Sequence, residues 1–349
     1  MAVLPARLLV DSPNWLGDFV HTLPALAALR SANRSGETTL LLPAAHAPLA
    51  RLLGVKAIVR PVGAGFEFGR RCLSGKFDVV LTARHSSRAK LLLAATGAEI
   101  RLASRGRGAT ALRLTTFPVL RGLHQRHDLD GALALLGLRA VPTDPYHLQL
   151  PDRLKHQGLC QRALLGDLPG MVALLPATRG LENKRYPMRH FVAVARGLAE
   201  EGITPVVVVG PGEEGLATRL ATETRAQVAP TAWPLHEVAA LLAACDAAVG
   251  NDSGLTHLAA VVGCPTVALF GPTDPARTAP IGSAVVVRSH APTCAQRRLD
   301  EIAPAEVIGT VRMMMAAQVM ASGSAASALG FGVAPENAPR YDRAQRVGR

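Results

Sequence analysis

The chain has 349 residues, 49% hydrophobic and 4% aromatic, with a formal net charge of +12. That length accommodates two α/β domains of ordinary size, and the hydrophobic content excludes a disordered chain. Five cysteines without a C-x-x-C pair exclude a disulfide scaffold and a zinc ribbon and point to a reducing cytoplasm.

The opening MAVLPARLLVDSP has no basic segment followed by a long apolar run, so no signal peptide is expected. The apolar runs are too short to span a bilayer. Abundant Ala, Leu, Val and Gly suit helices packed on buried parallel strands. A strand is predicted over Arg7–Val10, and Gly17–Asp18 open an apolar-periodic helix to about Arg30. Strands follow at Thr39–Leu42, Ala57–Arg60 and Phe77–Leu81, then a helix over Ser87–Ala95 and a strand near Ile100. Gln125–Leu136 reads as one helix ended by Gly137, and Pro142, Pro145 and Pro151 mark a linker.

The alternation then restarts with strand Val172–Leu175, helix Met188–Glu201, strand Pro205–Val209 and helix Glu214–Thr224. Helix Leu235–Ala244, strand Ala247–Gly250, helix Ser253–Val262 and strand Thr266–Phe270 complete it. The expected architecture is α/β, with two parallel-sheet, right-handed crossover domains over 1–150 and 151–318. Residues 319–349, Ala/Ser/Gly-rich and then Arg-rich, are expected to form a loosely ordered tail.

Charge is uneven. Residues 1–150 hold 19 Lys/Arg against 9 Asp/Glu, and the densest stretch, Arg84 to Arg126, contains a single acid, Glu99. Two readings fit: a solvated surface in an Arg-rich chain, or a face for phosphate-rich partners such as a phosphorylated glycan or an anionic lipid surface. Nucleic acid is not expected, because the stretch lacks interleaved aromatics and any known nucleic-acid module.

Three segments have the composition of sites. Ser12-Pro-Asn-Trp-Leu-Gly-Asp18 runs from a strand into a helix start, where open α/β sheets bind ligands. Asp18 there is either a reacting carboxylate or simply good first-turn chemistry. In Leu175-Pro-Ala-Thr-Arg-Gly-Leu-Glu-Asn-Lys-Arg-Tyr-Pro187, Thr178 and Lys184 suit a phosphate cradle, with a solvated loop lysine as the plain alternative. Gly250-Asn-Asp-Ser-Gly-Leu-Thr-His257 runs from strand to helix, and the N–H groups at Ser253–Leu255 suit a pyrophosphate. Asp252 beside them suits a sugar hydroxyl; His257 either assists or packs. Asp128-Leu-Asp130 spells a D-x-D, but inside the predicted helix it reads as two solvated carboxylates, so no metal site is expected. No P-loop and no H-E-x-x-H motif occurs.

Together, Pro13–Leu26, Thr178–Pro187, Asn251–Ala260 and the Gly-Pro-Thr-Asp-Pro at 271–275 resemble the bacterial heptosyltransferase family, glycosyltransferase family nine. The resemblance implies a GT-B fold of two Rossmann-like domains facing a cleft, acceptor in the first and ADP-sugar in the second. It further implies inverting, metal-independent and cofactor-free transfer of heptose from ADP-L-glycero-D-manno-heptose to the inner core of lipopolysaccharide. Asp18 matches the general base, and Thr178, Lys184, Asp252, Ser253, Gly254 and His257 match the nucleotide-sugar site. Arg84, Arg88 and Arg121 are candidates for a phosphorylated glycolipid acceptor at the cytoplasmic face of the inner membrane. One departure touches acceptor and donor specificity: members that add the second core heptose commonly carry a Cys-rich loop, whereas Ser289–Arg298 leaves a lone Cys294.

Overall fold

The computed structural model describes residues 7–34, 36–140, 146–166, 169–178, 182–289, 291 and 293–328. Pro142 and Pro145 of the expected linker, 179–181 of the phosphate loop and 329–349 of the expected tail lie outside the described residues.

The first half contains β1 (Arg7–Asp11), α1 (Leu16–Ala32), β2 (Glu37–Leu42), α2 (Ala47–Leu53), β3 (Lys56–Val59) and α3 (Phe66–Phe68). It continues with β4 (Val79–Thr82), α4 (Ser87–Ala94), β5 (Ile100–Ser104), β6 (Thr115–Phe117) and α5 (Asp130–Leu135). The second half contains α6 (Asp152–Leu165), β7 (Gly170–Leu175), α7 (Met188–Glu200), β8 (Ile203–Val207), α8 (Glu214–Thr224) and β9 (Gln227–Val228). There follow α9 (Leu235–Ala244), β10 (Ala247–Asn251), α10 (Gly254–Val261), β11 (Thr266–Phe270), α11 (Pro275–Thr278), β12 (Ala284–Arg288) and α12 (Pro304–Ala328).

The strands form two six-stranded sheets, β3-β2-β1-β4-β5-β6 and β12-β11-β10-β7-β8-β9. Every pairing is parallel, with Leu9 opposite Thr39 and Val80 in the first sheet and Val172 opposite Ala247 in the second. Both sheets therefore have the same doubly wound order, which reverses direction between β1 and β4 and between β7 and β10. The central strands are aliphatic because helices cover both faces: β7, β10 and β11 are buried throughout.

One apolar core runs through both halves, joining Leu8 and Val10 of β1 and the α1 face to Leu258 and Val261 of α10 and Leu241 of α9. α1 is buried from Phe19 to Leu26, which is why its sequence is apolar on nearly every side. Its N-terminus meets that of α10 at two glycines. A Cβ on Gly254 would lie 2.6 Å from Leu16 Cβ, and one on Gly17 would lie 3.0 Å from His257 Cδ2. No helix among the described residues is long and apolar enough to cross a membrane.

The expected helix over Gln125–Leu136 is not continuous. Gln125–His127 form a 3-10 turn, and α5 begins only at Asp130. Side-chain bonding from His124 and across to the second half holds this stretch in a form that apolar periodicity does not reveal. The structure adds β6, β9 and β12, and helices α2, α3, α6, α11 and α12, to the predicted elements; β6 and β9 are only 3 and 2 residues long. α12 continues to Ala328, inside the stretch expected to be tail.

The glycine contacts set a paired expectation. Gly254→Ala should cost about 1–3 kcal/mol of stability through overpacking against Leu16. Gly309→Ala, inside α12 with nothing within 4 Å of the added Cβ, should gain about 0.5–1 kcal/mol. Urea denaturation of both variants against the parent checks the signs.

Candidate active site

In open parallel sheets, ligands bind beyond the carboxyl ends of the strands, where the strand order reverses. In the first half that point lies between the loops after β1 and β4. They border a cleft of about 210 Å³ lined in part by Asn14, Asp18, His21, Arg84, Gln125 and Asp128. Its floor is electrostatic. Asp11, fully buried at the end of β1, pairs with both Arg60 and Arg84, the latter through Nε at 2.8 Å, and accepts from Thr82 Oγ1 at 2.8 Å. Arg60 Nη2 also donates to Asn14 Oδ1 at 2.6 Å, which ties the loop after β1 to this group. Two guanidinium groups on one carboxylate leave an excess positive charge, and Arg84 presents it at the cleft wall. Arg88 and Arg121 are exposed and lie outside the lining.

Asp18 sits in the first turn of α1, and its Oδ1 accepts from Gln125 Nε2 at 2.9 Å. The sequence reading missed Gln125, because one glutamine inside a predicted amphipathic helix gives no signal.

In the second half the switch point lies between the loops after β7 and β10. Buried Asn251, at the end of β10, fastens them together: Nδ2 donates to Pro176 O at 2.7 Å, and Oδ1 accepts from Tyr186 N at 2.8 Å. Thr178 Oγ1 donates to Asp252 O at 3.4 Å. The Asp252 carboxylate meets His257 Nε2 at 3.3 Å and Lys184 Nζ at 3.8 Å. Burial alone would push the Asp252 carboxyl up, but the His257 hydrogen bond and charge, with Lys184 behind them, hold it below the usual carboxylate range. Ser253 occupies the N-cap position of α10 without using its hydroxyl as a cap; Oγ faces Thr256 Oγ1 at 3.3 Å. The first N–H groups of α10 are thus not satisfied by a side-chain cap.

His257 joins the two groups. It abuts Gly17, next to Asp18, while its Nε2 reaches Asp252. On its other side lies His21, with ring centroids 4.8 Å apart, and His21 in turn meets His124 at 5.0 Å. His257, Asp252, Lys184 and Thr178 therefore form one contiguous set in the second half, and His257 sets it against Gly17, the neighbour of Asp18. The approach of the two helix N-termini brings the turn that carries Asp18 near a cation and the start of α10, parts that proton abstraction and anion stabilisation use.

Of the two D-x-D carboxylates expected to be solvated, Asp128 is buried, whereas Asp130 stays partly exposed. Asp128 is buried and pairs with Arg277 of α11 at 2.7 Å, and Asp130 pairs with His127 at 2.8 Å. The partner of Asp128 comes from the other half, so a local helical pattern misjudges its exposure. Among the described residues, no group of three or more His, Cys, Asp or Glu is placed to hold a metal ion.

The buried histidines set a pH dependence. Burial, with the charges of His257, His124 and Arg277, holds His21 well below the ordinary value of 6.5. Burial and the charge of Arg60 bring His46 down to about 4. Unfolding frees both to bind protons at their ordinary value, so stability is greatest above pH 6.5 and falls below it, by up to about 1.4 kcal/mol per pH unit for each histidine. His21→Leu should flatten this fall between pH 6.5 and 5, as read by urea denaturation at several pH values.

Known proteins resemble the chain in sequence and in fold. The chain matches the family model described as Glycosyltransferase family 9 (heptosyltransferase) over residues 66–304. It is 30% identical over 300 residues to lipopolysaccharide heptosyltransferase 2 of Escherichia coli K12, covering 79% of this chain and 85% of that one. It is 27% identical over 303 residues to lipopolysaccharide heptosyltransferase 1 of Pseudomonas aeruginosa, covering 80% and 82%. Among solved structures it resembles the E. coli ADP-heptose lps heptosyltransferase II, with a TM-score of 0.77 at 22% identity over 89% of this chain and 99% of that one. An E. coli heptosyltransferase solved with ADP gives 0.71 at 23% identity over 88% and 99%. The fold is GT-B, and the chain belongs to glycosyltransferase family 9, the heptosyltransferases.

Proposed function

We propose that this glycosyltransferase moves heptose from ADP-L-glycero-D-manno-heptose to the inner core of lipopolysaccharide, with inversion and without a metal ion or other cofactor. The observation that supports the reading is the run Asp18–Gly17–His257–Asp252–Lys184, in which the turn of one half that carries Asp18 abuts the His257, Asp252 and Lys184 group of the other. Two relatives named as lipopolysaccharide heptosyltransferases support the sugar and the acceptor class.

In this mechanism the acceptor hydroxyl gives its proton to Asp18 as its oxygen bonds to the anomeric carbon. The bond from that carbon to the donor phosphate breaks on the opposite face, and ADP leaves with the electron pair. Lys184 and the free N–H groups of α10 hold the charge that develops on the leaving phosphate, the task a metal performs in other transferases. Asp252, ionised beside His257, accepts from a donor hydroxyl, and Thr178 contributes to the phosphate site. Arg84, with the surplus charge of its pair on Asp11, receives an anionic group of the acceptor. The basic first half suits a phosphorylated glycolipid at the cytoplasmic face of the inner membrane.

Two measurements test this. A thermal-shift panel with ADP, UDP, GDP and CDP, with and without EDTA, should respond to ADP alone and be indifferent to EDTA. At 100 times the dissociation constant the ligand adds about 2.7 kcal/mol, and Lys184→Ala should lose most of the shift. A preference for UDP or GDP would overturn the donor assignment. Asp18→Asn should lower kcat by about 10²–10⁴-fold while keeping the ADP shift, as removal of a base predicts; unchanged turnover would rule Asp18 out.

A further inference from the structure

We propose that Gln125 is the positioning residue of the Asp18 carboxylate, and that Arg277 holds Gln125 in place from the other half of the molecule. The inference rests on the reading of Asp18 as the base. An aspartate in a half-exposed first helical turn has a broad choice of carboxylate orientation, because its terminal torsion has no sharp wells. The Gln125 amide, donating to Oδ1 at 2.9 Å, selects one orientation and leaves Oδ2 to take a proton. A neutral amide suits this duty. A guanidinium or ammonium in its place would stabilise the charged carboxylate far more and make it a weaker base.

Gln125 cannot hold itself there. It opens a 3-10 turn of 3 residues, Gln125–His127, too short to be rigid alone. Its neighbours on both sides are bonded to the second half. Leu123 O accepts from Arg277 Nη1 at 2.7 Å, His124 Nε2 donates to Ala279 O at 2.8 Å, and Asp128 Oδ2 meets Arg277 Nη2 at 2.7 Å. The His124 tautomer is fixed by the same set, since its Nδ1 accepts from Arg126 N at 3.2 Å. Arg277 lies in α11, immediately after the Gly271–Asp274 loop that follows β11. The base is therefore aligned through a turn that the nucleotide half of the molecule grips. A docked second half gives an oriented carboxylate; a separated one releases it.

The test is a set of mutant cycles on the full chain, with ADP-heptose as donor and heptose-deficient lipopolysaccharide core as acceptor. Gln125→Met, nearly isosteric but without the amide, should lower kcat about tenfold, the scale of one hydrogen bond to a charged group. The KM for ADP-heptose should stay within about twofold, because the donor site is untouched. Arg277→Gln should give a loss of the same kind, and the double variant should be no worse than the poorer single, as two links in one chain require. In an Asp18→Asn background, Gln125→Met should have no further effect. A kcat unchanged by Gln125→Met overturns the proposal, and so does a loss that multiplies onto that of Asp18→Asn. Gln125→Glu, which keeps the shape and sets a second carboxylate against Asp18, decides the matter if Gln125→Met does not fold: turnover equal to the parent overturns the proposal, and a greater loss than tenfold supports it. Should Asp18→Asn itself retain full activity, the reading of the base fails, a different outcome from failure of the Gln125 link.

Discussion

The close approach of α1 and α10 is the constraint on which the molecule depends. Each helix starts at the switch point of its own sheet, so bringing the two N-termini together brings the two ligand-binding ends together. The approach is possible because Gly17 and Gly254 have no Cβ; with one, Leu16 and His257 would have to move. The apolar core is continuous through this contact, and the polar groups that line the cleft are therefore held by buried packing rather than by loops alone.

Around that contact the electrostatics are arranged in two buried groups of similar design. At the end of β1, Asp11 is overcompensated by Arg60 and Arg84. At the end of β10, Asp252 is balanced by His257 and Lys184. Each group includes a cation: Arg84, which lines the cleft, and Lys184, which lies beside Asp252 in the second half. Buried charges of this kind are costly unless paired, so their pairing fixes the loops that carry them. Between the groups, His21 is kept neutral by burial and forms the uncharged wall through which the two sides touch.

The D-x-D segment illustrates how a surface pattern becomes an internal joint. Asp128 is buried against Arg277, about 150 positions away in sequence, and the same guanidinium holds the carbonyl of Leu123. Three bonds to a short turn are worth little as stability in isolation. Their consequence is geometric, because the turn between them carries Gln125, and Gln125 carries the orientation of Asp18.

The sequence by itself determined the α/β class, the two runs of parallel strands, and the positions of Asp18, Thr178, Lys184 and Asp252 in the loops and helix starts that follow strands. These follow from local rules: aliphatic runs bounded by polar-glycine turns make buried parallel strands, and ligands collect where such strands stop. The sequence left His257 open between assisting and packing; it is buried, packs against His21 and hydrogen-bonds to Asp252. Tertiary structure alone decided which distant side chains meet: Arg60 with Asp11, Gln125 with Asp18, Arg277 with Asp128. It also decided that Arg84 enters the cleft while Arg88 and Arg121 stay outside it, although all three belong to one basic stretch. The physical reason is that these contacts join segments with no shared periodicity. Their partners are set by how two sheets dock, and docking depends on the summed packing of both halves rather than on any window of the chain.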